Sequence, residues 1–182
     1  MEFKEKLGSL LLALLLVFSP SLSFAEEEGQ VVGYDSQVKA YIIGNEETGE
    51  IYYEKDADKA YPIASMSKLM TYLLAKEAID EGEISEDQEI KASKKAEELT
   101  SWEYSHLGLK EGETYTIREL LEGLMVVSGN DCAYEIARAV SGSEKKFVKK
   151  MNDKAKELGL DSQVFYNADG LQTEDDEQNS SS

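Results

Sequence analysis

Basic residues, cysteine and histidine are all scarce in this chain, and each scarcity excludes a class of function. Only 19 Lys and Arg stand against 37 Asp and Glu, for a net charge of −18 over 182 residues. Phosphate binding needs clustered cations, so a nucleic-acid partner is excluded. The charges of the first 25 residues cancel, and the acidity belongs to the remainder. One cysteine, Cys132, has no partner with which to build a disulfide framework. Its apolar, helical surroundings predict a buried thiol rather than a reactive one. One histidine, His106, leaves no material for a His-centred triad or a multi-His metal site. Beyond residue 25 no stretch is long and apolar enough to span a bilayer.

What is present begins with an export signal. Lys4 and Lys6 supply a basic start, Leu10 to Phe18 is a short Leu/Ala/Val run, and Pro20 breaks it. Ser23-Phe24-Ala25 has the small-x-small form that a signal peptidase accepts. The run is shorter than the ~20 residues a membrane anchor needs. Residues 1–25 are therefore read as a cleaved signal peptide and 26–35 as a polar leader. A domain over 36–172 and a polar, disordered tail over 173–182 follow. The mature protein is placed outside the cytoplasm, secreted or associated with the outer face of the membrane and the wall.

Within the domain, Val38–Ile43 and Ile51–Tyr53 flank a Gly-containing loop and predict a hairpin. Ala40 to Ile43 is apolar without alternation, which predicts a strand covered on both faces and hence an α/β (α+β) fold. Ser65–Glu81 predicts a helix whose apolar positions are Met66, Leu69, Met70, Leu73, Leu74 and Ala78. Residues 83–112 read as charged and irregular, with a short helix near 93–99. Thr116-Ile117-Arg118-Glu119 matches a capping box. The helix after it runs through Leu124 and Met125, breaks at Ser128-Gly129-Asn130, and resumes over Asp131–Val140. Another amphipathic helix spans Phe147 to Leu158. Val164–Tyr166 reads as a short strand, and Asn167-Ala168-Asp169-Gly170 as a turn.

Nucleophilic catalysis without histidine can use a serine activated by a lysine one helical turn away. A chain this rich in Ser and Lys holds one or two Ser-x-x-Lys patterns by chance, and this one holds three, at Ser36, Ser65 and Ser143. Ser36 and Lys39 enter a strand, where positions three apart face opposite ways. Ser143 and Lys146 open a helix whose lysine stripe is a solvated face, so Ser143 is an N-cap. Ser65 and Lys68 differ, because their stripe continues through Tyr72, Ala75 and Ile79. A lysine on an apolar stripe is costly to bury charged. Desolvation and the positive end of the helix dipole both lower its pKa, as a general base requires. The bland alternative is a snorkelling Lys68 beside a capping Ser65. For Ser128-Gly129-Asn130 it is a helix break. The functional reading is a hydroxyl and an amide offered from a tight turn.

Taken together, Ser65-Met66-Ser67-Lys68 and Ser128-Gly129-Asn130-Asp131 resemble the first two motifs of the penicillin-recognising serine enzymes. The surroundings resemble the low-molecular-mass penicillin-binding proteins, the D-alanyl-D-alanine carboxypeptidases. These are Thr48-Gly49-Glu50-Ile51-Tyr52-Tyr53-Glu54-Lys55, Pro62-Ile63-Ala64-Ser65, Leu120-Leu121-Glu122-Gly123-Leu124, Phe165-Tyr166-Asn167 and Gly170-Leu171. The resemblance implies a DD-peptidase-like sheet covered by helices on both faces, with a helical subdomain. It implies that Ser65 is the acylated nucleophile, Lys68 its base, Ser128 a proton relay and Asn130 a substrate-binding amide. It implies no cofactor and no metal. The substrate would be the D-Ala-D-Ala end of a peptidoglycan stem peptide, with β-lactams as inhibitors. The family's third motif, Lys-Thr-Gly, is absent, since the only Thr-Gly follows Glu47. The expectation is therefore a C-terminally truncated sequence, inactive by itself, with any membrane association supplied by a missing C-terminal region. A class A β-lactamase is the enzymatic alternative, lowered because no Glu stands four residues before an Asn. The non-enzymatic alternative is an inactive wall-associated protein.

Overall fold

A computed structural model describes residues 37–172 and 178–181. The expected signal peptide, the leader, Ser36, and residues 173–177 and 182 of the tail lie outside the described residues. The described chain divides into two compact units, one ending at Ala57 and one starting at Asp58.

The first unit carries the expected hairpin. β1 (Tyr41–Gly44) pairs antiparallel with β2 (Ile51–Lys55). Asn45 organises the turn, its Oδ1 accepting from Glu47 N and Thr48 N at 2.9 and 3.1 Å. Among the described residues the expectation that β1 is covered on both faces does not hold. Ile42 is 59% exposed and Tyr52 50% exposed. A run of apolar residues states what a strand can bury, and a two-stranded hairpin offers no layer to bury it against.

The second unit opens with β3 (Tyr61–Pro62), a 3₁₀ turn over Ala64–Ser67, and α1 (Lys68–Asp80). β4 (Glu89–Lys91), α2 (Lys94–Glu98) and β5 (Thr114–Thr116) come next. α3 (Ile117–Val126), α4 (Asn130–Ser141) and α5 (Glu144–Glu157) follow, and β6 (Ser180–Ser181) closes the chain. β4 lies in the segment expected to be irregular and pairs with β5, because a strand of three residues carries no readable period. The fold class is α/β, and among the described residues its strands form three separate two-stranded pairs.

α4 is the hub, packing against α1, α2, α3 and α5. The core around it includes Leu74, Leu109, Ile117, Leu120, Leu124, Ile136, Phe147 and Met151, all fully buried. The expected capping box is present. Thr116 Oγ1 accepts from Glu119 N at 3.2 Å, and Glu119 Oε2 accepts from Thr116 N at 2.7 Å. Ser143 caps α5 through Lys146 N, as expected. The buried face of α1 is rotated from the expected one. Met70, Thr71, Leu74, Ala75 and Ala78 are inside, whereas Met66 and Leu69 are exposed. Thr71 is inside because its hydroxyl donates to Ala168 O at 2.7 Å. The tail also departs from expectation at its end. Ser180 and Ser181 pair with Pro62 and Tyr61, Ser180 bridges Val164, and Asn179 is fully buried.

Candidate active site

The 3₁₀ turn presents Ser65 on the surface and directs Lys68, the first residue of α1, inward. Ala64, just before Ser65, is held at φ +44°. This left-handed conformation is unfavourable for a residue with a Cβ and concentrates at functional sites. Lys68 is only 3% exposed. Its Nζ donates to Ser65 Oγ at 3.0 Å and to the Asp169 carbonyl at 2.9 Å. When the amine is neutral, the 3.0 Å contact can carry the Ser65 proton the other way. Burial pushes the Lys68 pKa below its ordinary 10.5, partly opposed by the charge of Asp169. Asp169, 5% exposed, has its own pKa raised by burial.

The Asp169 carbonyl arrives on the predicted turn. Gly170 makes that approach possible, since a Cβ there would lie 1.9 Å from Ala64 O and 2.9 Å from Ser67 Oγ. Its φ of +87° demands glycine as well. The turn therefore lies directly against the backbone that carries Ser65.

Ser128 also sits at a positive φ, +57°, in the break between α3 and α4. Asn130 opens α4 and is 2% exposed, its N–H donating to Ser105 O at 2.9 Å. Asp131 is fully buried. Its carboxylate accepts from Leu107 N at 3.1 Å, Gly108 N at 2.9 Å, Leu109 N at 3.0 Å and Cys132 N at 2.9 Å. The Ser128-Gly129-Asn130 turn and the 105–109 loop are thus tied into one wall. α4 packs on α1, and the charge of Asp131 reaches Lys68. Cys132 is buried with its pKa raised, mainly by desolvation, so its thiol is inert.

Of the three Ser-x-x-Lys patterns, Ser65–Lys68 is bonded pairwise, Ser143 is a cap, and Ser36 lies outside the described residues. Sequence reasoning missed Asp169, Gly170, Asp131 and Asn179 as parts of the arrangement. For Asp169 and Gly170 a signal existed, the turn pattern Asn167 to Gly170. Asp131 stands in the sequence within the Ser128–Asp131 motif and at a helix start, with no role of its own, and Asn179 only in the polar tail. Among the described residues no group of three or more His, Cys, Asp or Glu is placed to hold a metal.

A family model described as D-alanyl-D-alanine carboxypeptidase, peptidase S11, matches residues 26–182. The chain is 39% identical over 173 residues to the D-alanyl-D-alanine carboxypeptidase DacF of Bacillus subtilis, covering 94% of this chain and 43% of that protein. It is 34% identical to DacB2 of Mycobacterium tuberculosis, over 79% of this chain and 46% of that one. Among solved structures it is similar to PBP3 of Streptococcus pneumoniae, with TM-score 0.73, 35% identity, and coverage of 78% of this chain and 43% of that one. Penicillin-binding protein D2 of Listeria monocytogenes, determined bound to cefotaxime, gives TM-score 0.69 and 34% identity, over 79% of this chain and 56% of that one. The chain spans roughly half the length of these relatives, or less.

Proposed function

Since the chain belongs to the peptidase S11 family of D-alanyl-D-alanine carboxypeptidases, we propose that it carries the nucleophile half of a serine carboxypeptidase. The reaction removes the terminal D-alanine of a peptidoglycan stem peptide. Ser65 Oγ attacks the carbonyl carbon of the penultimate D-alanine, and its proton passes to the Lys68 amine. The tetrahedral intermediate expels the terminal D-alanine as its amine, which takes a proton relayed through Ser128. A water then hydrolyses the Ser65 ester and restores the hydroxyl. Asn130 holds the substrate amide.

One observation carries this reading. An exposed serine hydroxyl lies 3.0 Å from a lysine that is 3% exposed and whose pKa burial lowers. That is an activated nucleophile. The backbone strain at Ala64, next to Ser65, supports it. β-Lactams would act as pseudo-substrates, as the cefotaxime- and ampicillin-bound D2 structures support. The β-lactamase alternative is not favoured, because the matched family and relatives carry the carboxypeptidase description. Export through residues 1–25 places the enzyme on the outer side of the membrane. No helix among the described residues is long and apolar enough to cross it.

The test is to label the protein, in the form its own cells make, with a fluorescent penicillin and to map the modified peptide. The label is expected on Ser65. Label retained in a Ser65→Ala protein would overturn the assignment.

A further inference from the structure

We propose that Asn179 is a positioning residue for Lys68, acting through the Asp169 carbonyl. The proposal rests on the reading of Ser65 and Lys68 given above.

Asn179 stands in a wholly polar stretch, Gln178-Asn179-Ser180, yet it is fully buried. Its side chain is saturated. Nδ2 donates to Ser67 Oγ at 2.9 Å, to Asn167 O at 3.0 Å and to Asn167 Oδ1 at 3.0 Å. Oδ1 accepts from Tyr166 N at 2.7 Å and Asn167 N at 3.3 Å. Its own carbonyl accepts from Ile63 N at 3.0 Å. One side chain therefore clamps Ser67, the neighbour of Lys68, to Asn167, the first residue of the turn. Asn167 then shapes the turn from within, accepting from Gly170 N at 2.8 Å and donating to Leu171 O at 2.5 Å. The result is a fixed Asp169 carbonyl, 2.9 Å from Lys68 Nζ. No hydrogen bond joins Asn179 to Lys68 itself.

The chemical consequence lies in the neutral amine. It has two N–H groups and one lone pair, and a carbonyl can only accept. With one N–H committed to Asp169, the lone pair is free to face Ser65, the geometry that proton abstraction needs. A buried amide that sets this orientation is worth more than its packing, because buried networks gain strength only when every member is satisfied.

The experiment follows Lys68 directly. The 182-residue chain is labelled with ¹³Cε-lysine, the Lys68 resonance is assigned as the one missing from Lys68→Ala, and its titration is compared in Asn179→Ala. The midpoint is expected to fall by about half a unit or more, because the ammonium loses a carbonyl acceptor and the nearby Asp169 charge. A residue that merely stabilised the fold would lower the melting temperature and leave the midpoint in place. An unchanged or raised midpoint overturns the proposal. Should Asn179→Ala not fold, Ser67→Ala, which removes one acceptor and almost no volume, is read by the same criterion. No penicillin or substrate enters this measurement, so it can fail while Ser65 acylation stands, and the reverse.

Discussion

At the scale of single residues, the site is a contest between burial and charge around Lys68. Burial lowers its pKa, and the charges of Asp169 and Asp131 oppose the shift. Acylation by penicillin is therefore expected to rise with pH along a limb whose midpoint lies below 10.5, the ordinary lysine value. The isosteric Asp169→Asn keeps an acceptor for Leu171 N but deletes the charge, so the limb should move to still lower pH. A limb that stays in place or moves up would count against electrostatic coupling of the two. Lys68→Ala should lower acylation by roughly 10²–10⁴-fold, the usual worth of a general base. The same shift links to stability. Between the Lys68 midpoint in the fold and 10.5 the unfolded chain binds more protons, so the fold gains stability as pH rises through that window. Gly170→Ala is a second residue-scale prediction. Its Cβ would collide with the Ala64 carbonyl and sit at a left-handed φ. A cost of about 2 kcal/mol or more is expected in denaturant unfolding, with acylation reduced at pH values where the fold is intact.

At the scale of elements, local chemistry was legible and long-range closure was not. The capping box of α3, the Ser143 cap of α5 and the Ser65–Lys68 pair all join residues three apart, and each was readable from sequence. Thr116→Ala should cost about 1 kcal/mol in thermal or urea unfolding; no change would show that the box is redundant. The buried face of α1 was misread at Met66 and Leu69, because an apolar stripe shows a preference and not which partner is present. Thr71 was missed because its burial depends on Ala168, a distant carbonyl. The wall formed by Asp131 is the larger omission, since one carboxylate serving four N–H groups leaves no periodic trace. Asp131→Ala strands those donors, each worth about 1–3 kcal/mol if left buried and unpaired. Amide exchange at Leu107, Gly108 and Leu109 should accelerate far more than exchange across α5. Equal acceleration in both places would mean a global loss of stability instead.

At the scale of the whole molecule, the export signal expected over residues 1–25 makes a direct prediction. N-terminal sequencing of exported material should begin at Glu26, and an intact Met1 would refute cleavage. The hydrogen bonds around Lys68 join residues far apart in the chain. Lys68 and the carbonyl it uses are 101 residues apart, and Ser67 and Asn179 are 112 apart. Closing loops of that length costs on the order of 4 kcal/mol in chain entropy beyond a constant term. Contacts so distant in sequence slow folding relative to helices that form locally. The consequence is one of timing. A ribosome delivers Ser65 and Lys68 long before Asn179, and until the later residues arrive Lys68 has neither its burial nor its carbonyl. The Ser65–Lys68 pair is thus born unarmed and is armed late, when the distant turn docks beneath it. A chain still emerging from the ribosome would carry Ser65 beside a lysine that has no carbonyl to orient it.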